Sequence, residues 1–171
     1  IAGQIINIAI DSTETVSIKA EYPGMASQYE VSGSEECSRI KELTLMQMGL
    51  QTQLNAIANN PQLGADAVND SVARVVEAYK TRVKTDYIFK EPMKASSYFA
   101  LFQTLNAGGQ SVLIFNPRSS EQDVKVFAAV ATSWDTFYPN EERGENLHNI
   151  AIEGMKDIRI IKNKQAQGLV A

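Results

Sequence analysis

Two residue types that carry much protein chemistry are nearly missing from this sequence. It contains one cysteine, Cys37, and one histidine, His148. A single cysteine cannot form an internal disulfide, so the composition does not indicate a disulfide-rich secreted scaffold. A zinc site needs three or four nitrogen or sulfur ligands, and these two residues are too few to supply them. We expect no metal site, and no pattern in the sequence indicates a cofactor.

The sequence also lacks a long apolar run and an excess of positive charge. No apolar run approaches the length of a membrane-spanning helix. The net charge of −4 argues against nucleic-acid binding, because such domains are usually basic. The chain begins at Ile1 rather than at a methionine, so a missing targeting signal says little about destination. With 171 residues, 44% hydrophobic and 21% charged, the composition predicts one soluble globular domain.

Catalysis by Cys37 or His148 would need partner residues that the sequence does not show. A Ser–His–Asp or Cys–His site requires a base held by an orienting carboxylate. His148 lies within a predicted strand with no cysteine nearby, and Cys37 has no second cysteine for redox chemistry. We interpret His148 as a structural residue and Cys37 as a buried or half-buried thiol. The sequence predicts no catalytic residues and a protein that is not an enzyme.

Two further stretches have a partial likeness to ligand-binding motifs. The acidic loop "NEERGEN" carries Glu141, Glu142 and Glu145, but it lacks the alternating Asp or Asn ligands and the fixed glycine of an EF-hand calcium loop. Gly108–Gly109 follows a predicted helix, whereas a phosphate-binding loop precedes one. We interpret the first stretch as a solvated loop and the second as a helix C-cap.

Alternating apolar and polar residues near the start of the chain predict a β-hairpin over residues 4–22. The turn falls at "DSTE", and Pro23–Gly24 ends the second strand, which residues 28–31 resume. The apolar positions are Ile6, Ile8 and Ile10 in the first strand and Val16, Ile18, Ala20 and Tyr22 in the second. Only one lysine, Lys19, lies in the hairpin, so few charges protect its edges from pairing with another chain.

A helical periodicity follows in residues 35–90. Apolar residues recur every three or four positions and predict helices over Lys41–Ala58 and Val68–Lys84. Ser32 begins a capping box, and Asn60–Pro61 separates the two helices. Since each helix can bury only one stripe, we expect a helical hairpin.

The rest of the chain has the pattern of a helix end followed by three strands. Helical spacing runs from Tyr98 to Leu105, where the glycine pair ends the helix. Three apolar runs follow, namely "SVLIFNP", Val124–Trp134 and Leu147–Ile161.

The predicted fold class is α+β. We expect an antiparallel β-sheet or small barrel of about five to seven strands, with the helical hairpin inserted. The β-rich core then comprises residues 1–34 and 95–165 of a single domain spanning 1–171, and the helical insertion comprises residues 35–90.

Four stretches between residues 102 and 161 have a characteristic order: "FQTLNAGGQ", "VLIFN", "VFAAVATSWD" and "NLHNIAIEGMKDIRII". This order of elements resembles small tail and baseplate proteins of tailed bacteriophages, in particular the distal-tail-protein-like (Dit-like) inner baseplate family. The helical stretch over residues 35–88 departs from the compact pattern of that family. The resemblance implies a non-catalytic virion subunit, assembled in the host cytoplasm into a six-fold ring, a hexamer, that contacts other phage tail or baseplate proteins.

Aromatic residues at a predicted strand end and in the following loop leave two interpretations open. Trp134, Phe137 and Tyr138 either pack as a corner onto the core or contact a partner subunit. Together with the first hairpin they are the candidate assembly contacts, through strand pairing and aromatic packing between copies. The candidates are Ile6, Ile8, Val16, Ile18, Tyr22, Trp134, Phe137 and Tyr138.

The sequence leaves one further class of function open besides assembly and catalysis. A monomeric ligand-binding or regulatory α+β module would use a pocket between the sheet and the helices. Light scattering separates these readily, because an assembly protein forms a ring or polymer whereas a binding module stays monomeric.

Overall fold

The computed structural model describes residues 4–11 and 13–168, which form an α+β structure with five α-helices and two small antiparallel sheets. The elements are β1 (Ser17–Ala20), β2 (Tyr29–Ser32), α1 (Glu35–Ala58), α2 (Ala65–Val83), α3 (Ala95–Leu101), β3 (Thr104–Ala107), β4 (Gln110–Leu113), α4 (Glu121–Phe137) and α5 (Glu142–Ala166). One π-helical turn, Lys84–Ile88, continues α2. The four strands of the described residues pair as β1–β2 and β3–β4 and close no barrel.

The two helices predicted over Lys41–Ala58 and Val68–Lys84 are confirmed as α1 and α2, except that Lys84 already belongs to the π-helical turn. The predicted cap at Ser32 is wrong by two residues. Ser34 is the N-cap of α1, because its Oγ accepts a hydrogen bond of 3.2 Å from the backbone N–H of Cys37.

The strands predicted over Val124–Trp134 and Leu147–Ile161 are wrong, because both stretches lie inside helices. Val124, Phe127, Ala131 and Trp134 are all buried, and their spacing of three or four residues is that of one helix face. The side chain of Ser120 caps α4 by accepting a hydrogen bond from the backbone N–H of Asp123. The short connection of residues 138–141 then returns the chain, so α4 and α5 form an antiparallel pair.

A glycine allows α5 to lie close to the loop before α4. A Cβ atom placed on Gly154 would lie 2.5 Å from the backbone oxygen of Pro117 and 3.0 Å from Cγ2 of Val124. No side chain fits at that distance, so this contact requires glycine.

The glycine pair Gly108–Gly109 forms a β-hairpin turn and not the predicted helix C-cap. Helix α3 ends at Leu101, and β3 and β4 pair on either side of the two glycines. Both glycines have positive φ angles, of 60° and 84°, as a two-residue hairpin turn of this kind needs.

The first predicted hairpin is wrong in its pairing. Strand β1 pairs with β2, with Ser17 opposite Ser32 and Ala20 opposite Tyr29. The expected partner, residues 4–11, forms no strand where the structure describes it; it also has no helix, turn or bend, and we call it extended for that reason.

One hydrophobic core draws on all five helices and on β3. Helices α1 and α2 contribute Leu43, Leu50 and Val83, so they belong to the same core as the rest of the chain. The core also contains an ion pair between Lys80 of α2 and Asp123 of α4.

Candidate functional site

An open groove of about 530 Å³ lies between the extended residues 4–11 and helices α1, α3, α4 and α5. Residues 7–10 form one wall of this groove. The opposite side is lined mainly by Ile40, Tyr98, Phe99, Phe102, Trp134 and Arg143. We call it the aromatic groove. It combines an apolar floor with one cationic side chain at its edge.

Contacts between rings hold the floor of the aromatic groove in place. The ring centroid of Tyr98 lies 4.9 Å from that of Phe102 and 5.2 Å from that of Trp134. These separations fall within the range of favourable aromatic pairs. The indole N–H of Trp134 donates a hydrogen bond of 3.2 Å to the backbone oxygen of Pro92. With both its ring and its polar atom engaged, Trp134 is a fixed part of the fold.

Side chains at two points attach residues 4–11, hereafter segment 4–11, to the body of the protein. The side-chain amide of Gln4 donates a hydrogen bond to the backbone oxygen of Pro23 and accepts one of 3.3 Å from the N–H of Ala26. The thiol of Cys37 donates to the backbone oxygen of Ala9, with Sγ 3.1 Å away. The only cysteine of the chain therefore has a structural contact, and its burial agrees with the sequence-based interpretation.

Around these attachments, residues 5–10 expose apolar side chains and backbone N–H groups that donate no hydrogen bond in the described structure. Ile5 is 67% exposed, Ile8 45% and Ile10 56%. Within the described part of the chain, no backbone N–H of residues 5–10 donates a hydrogen bond. Exposed isoleucines on extended chain with unused backbone donors are the features that favour pairing with another strand.

The edge of β3, by contrast, is covered by glutamine side chains of α1. Gln47 donates a hydrogen bond of 2.7 Å to the backbone oxygen of Thr104. Gln51 accepts one of 2.7 Å from the N–H of Asn106 and donates one of 3.2 Å to its oxygen. These side-chain amides bond to the backbone groups that a neighbouring strand would use, so few backbone groups at this edge are free to pair with another chain. Strand β1 has no such cover among the described residues and pairs only with β2.

The predicted assembly residues differ in their exposure. Tyr22 and Phe137 are the most open of them, with exposed fractions of 74% and 55%. Ile8, Ile18 and Tyr138 are also exposed, whereas Ile6 and Val16 are partly buried. Trp134 is 6% exposed and packs as a corner onto the core. Phe137 and Tyr138, by contrast, form open surface.

His148 lies in α5 rather than in a strand, and it has a carboxylate partner that the sequence did not reveal. Its Nε2 contacts Oδ2 of Asp135 in α4, and both side chains line an open cleft with Asn140 and Glu145. A base held by a carboxylate is one half of a nucleophilic site. None of the described residues that line the cleft is a serine, threonine or cysteine, so the pair has no nucleophile beside it.

The acidic loop acts in the described structure as a helix cap. The carboxylate of Glu141 accepts a hydrogen bond of 2.7 Å from the backbone N–H of Arg143 and pairs with its guanidinium at 2.9 Å. The described residues contain no group of three or more His, Cys, Asp and Glu side chains placed to hold a metal ion.

Two buried tyrosines carry perturbed hydroxyl groups. Burial raises the pKa of Tyr79, whose hydroxyl donates a hydrogen bond of 2.7 Å to Gln103. Burial, together with a hydrogen bond from the hydroxyl to Glu42, raises the pKa of Tyr87 to about 12. Both groups remain neutral at ordinary pH and act as hydrogen-bond donors inside the fold.

Comparisons with known proteins leave the chain without an assigned family. No protein-family model matches it, and neither a curated protein nor a solved structure gives a significant match. Among the described helices, none combines the length and the apolar character needed to cross a membrane.

Proposed function

We propose that this chain is a non-catalytic structural subunit that assembles with further copies of itself. The observation that supports this proposal is the surface of segment 4–11, where three exposed isoleucines lie on extended backbone that pairs with no strand in the described structure. Monomeric proteins usually protect such chain from association, as the glutamines of α1 do for β3. Strand pairing between copies would use the backbone N–H groups of residues 5–10, which donate no hydrogen bond in the described structure.

The specific form of the proposal is a ring in a phage tail or baseplate, and it rests on the resemblance in the sequence. Two of the stretches that carry this resemblance, residues 126–135 and 146–161, are helices in this chain. A larger sheet or barrel, as expected from the sequence, would form by pairing of strands between subunits, with β1 as the other open edge. Such an interface should bury at least about 1,000 Å² in total.

Size-exclusion chromatography with light scattering tests the assembly. We expect the native protein to form oligomers and Ile8→Glu to shift them towards the monomer, because a charge is costly in an apolar interface. Ile152→Glu is the matched control, since Ile152 is 50% exposed on α5 outside segment 4–11. Ile18→Pro tests whether β1 takes part in the interface between copies, because proline removes a backbone N–H that strand pairing uses. A native protein that stays monomeric at every concentration would refute the assembly.

A second function is favoured by the aromatic groove. Its volume is in the range of small-molecule sites, and its aromatic floor suits an apolar ligand whose negative charge competes with Glu141 for the guanidinium of Arg143. The probe is 1-anilinonaphthalene-8-sulfonate, which has both features. Saturable fluorescence enhancement by a monomeric native protein, lost in Phe102→Ala, would favour ligand binding over assembly.

A further inference from the structure

We propose that copies of this chain exchange segment 4–11, so that the segment of one copy forms the wall of the aromatic groove of another. This inference rests on the proposed assembly and names the contact through which it occurs. The occupant is argued from the structure itself, because residues 7–10 already line this groove within one chain. A surface that accepts the segment of its own chain accepts the same residues from an identical copy.

The attachment of segment 4–11 is specific in position. Ala9 is partly buried, and its backbone oxygen accepts the hydrogen bond from the thiol of Cys37. Ile6 is also partly buried, whereas the neighbouring Ile5 and Asn7 are exposed. At the other end, the side chain of Gln4 makes two hydrogen bonds to the chain around Pro23. These contacts define one register for the segment and would be formed again, unchanged, after exchange.

The same attachment is limited in extent. Within the described residues, the hydrogen bonds of Gln4 and Ala9 are the only ones that join residues 4–10 to the rest of the chain. A short turn leads on towards β1, with the N–H of Glu14 bonded to the backbone oxygen of Asp11 at 3.0 Å. Release of residues 4–10 therefore breaks few hydrogen bonds, and none of these is a backbone hydrogen bond of a helix.

Exchange would also bury apolar surface that stays exposed in a single copy. In one copy alone, Ile5, Ile8 and Ile10 keep roughly half or more of their surface in water. Where segments pass between two copies, these side chains and the unpaired backbone of residues 5–10 come to lie against a neighbouring subunit. Burial of this apolar surface favours the exchanged form over the closed monomer.

Cysteine cross-linking between two different copies tests the exchange. One protein carries Ala9→Cys together with Cys37→Ser, and the other is the native chain with its single Cys37 and a fused tag that changes its mass. The two are mixed, allowed to assemble, and treated with an oxidant or, in parallel, with a short bis-thiosulfonate bridge. Electrophoresis without reductant then shows whether the two chains are joined. Circular dichroism confirms that both proteins keep their helices.

We expect a mixed product whose mass is the sum of the two chains, since position 9 of one copy lies against Cys37 of the other. Asn7→Cys with Cys37→Ser is the matched control. Two residues of extended chain displace its side chain by about 6.6 Å, so it should give no mixed product with the oxidant, which joins only sulfurs in direct contact. A second variant keeps Cys37 and carries Ala9→Cys. If the segment stays on its own chain, the two cysteines of this variant cross-link within one chain and give no linked pair of chains.

Two negative results have different meanings. Oligomers that give no mixed product with either reagent would overturn the exchange and leave the assembly intact. A native protein that light scattering shows to be monomeric under all conditions would overturn both.

Discussion

Removing the positive charge of Lys80 should strongly destabilise the fold. The Nζ atom of Lys80 lies 2.7 Å from Oδ1 and 2.9 Å from Oδ2 of Asp123, and the two residues are 7% and 2% exposed. At this distance the attraction is about 6 kcal/mol for an effective dielectric constant of about 20, and desolvation of both groups offsets much of it. Losing one partner is costly because the other charge stays buried. We expect Lys80→Met to lower the free energy of unfolding by about 3–5 kcal/mol.

The two partners are not equivalent. Without Lys80, Asp123 keeps one strong donor, the N–H of Asn116 at 2.8 Å. Without the carboxylate, Lys80 keeps Glu77 at 3.3 Å and lies over the ring of Phe115. Asp123→Asn should therefore cost less than Lys80→Met. The double variant should be more stable than the sum of the two losses predicts, by about 0.5–3 kcal/mol.

Urea unfolding measures these changes, with the fluorescence of the single tryptophan, the buried Trp134, as the signal. Lys125→Met is the control, because Lys125 forms an exposed pair with Glu121 at 3.7 Å and should change stability by less than about 1 kcal/mol. A cost for Lys80→Met no larger than that of the control would refute the reasoning, since the pair would then not be desolvated.

Three further predictions concern pH dependence and packing. The pKa of Tyr87 is raised to about 12, so its neutral hydroxyl contributes stability below pH 10, and this contribution is lost as the pH rises through 12. Tyr87→Phe should therefore flatten the loss of stability with pH in alkaline unfolding curves. Gly154→Ala should cost about 1–3 kcal/mol by overpacking, whereas Gly49→Ala, with open space around it, should gain up to about 1 kcal/mol in α1; equal effects in thermal unfolding would contradict this. Leu50→Ala should cost about 2–5 kcal/mol because Leu50 is buried, and a change below about 0.5 kcal/mol would place it at the surface.

The sequence was sufficient for α1 and α2 because each has a long stripe at a single period, with a clear break between them. It was misleading for α4, where β-branched residues at Val124, Val126 and Val130 suggested strand alternation. The helical signal was nevertheless present. Val124, Phe127, Ala131 and Trp134 follow helical spacing, and Ser120 with Asp123 marks a helix start. A run of this length is also long for a strand.

Pairing between distant segments was the part that sequence reasoning could not reach. Alternation predicted extended chain near the start, but it carries no information on the partner, and β1 pairs with β2 instead of with residues 4–11. The aromatic groove arises from side chains of α3 and α4 that are far apart in the sequence, such as Tyr98 and Trp134. The carboxylate that contacts His148 became visible only once α4 and α5 were known to pack together.

The unequal lengths of α4 and α5 have a consequence for how the molecule opens. Helix α5 has 25 residues and α4 has 17, so about two turns of α5 extend past the start of its partner. Residues 159–166 are all exposed there, whereas Leu147 and Ala151 are buried against the core. Amide hydrogens should therefore exchange with deuterated solvent quickly at one end of this helix and slowly at the other. A single helix would then show a gradient of protection, with fraying at one end that leaves the packing at the other end intact.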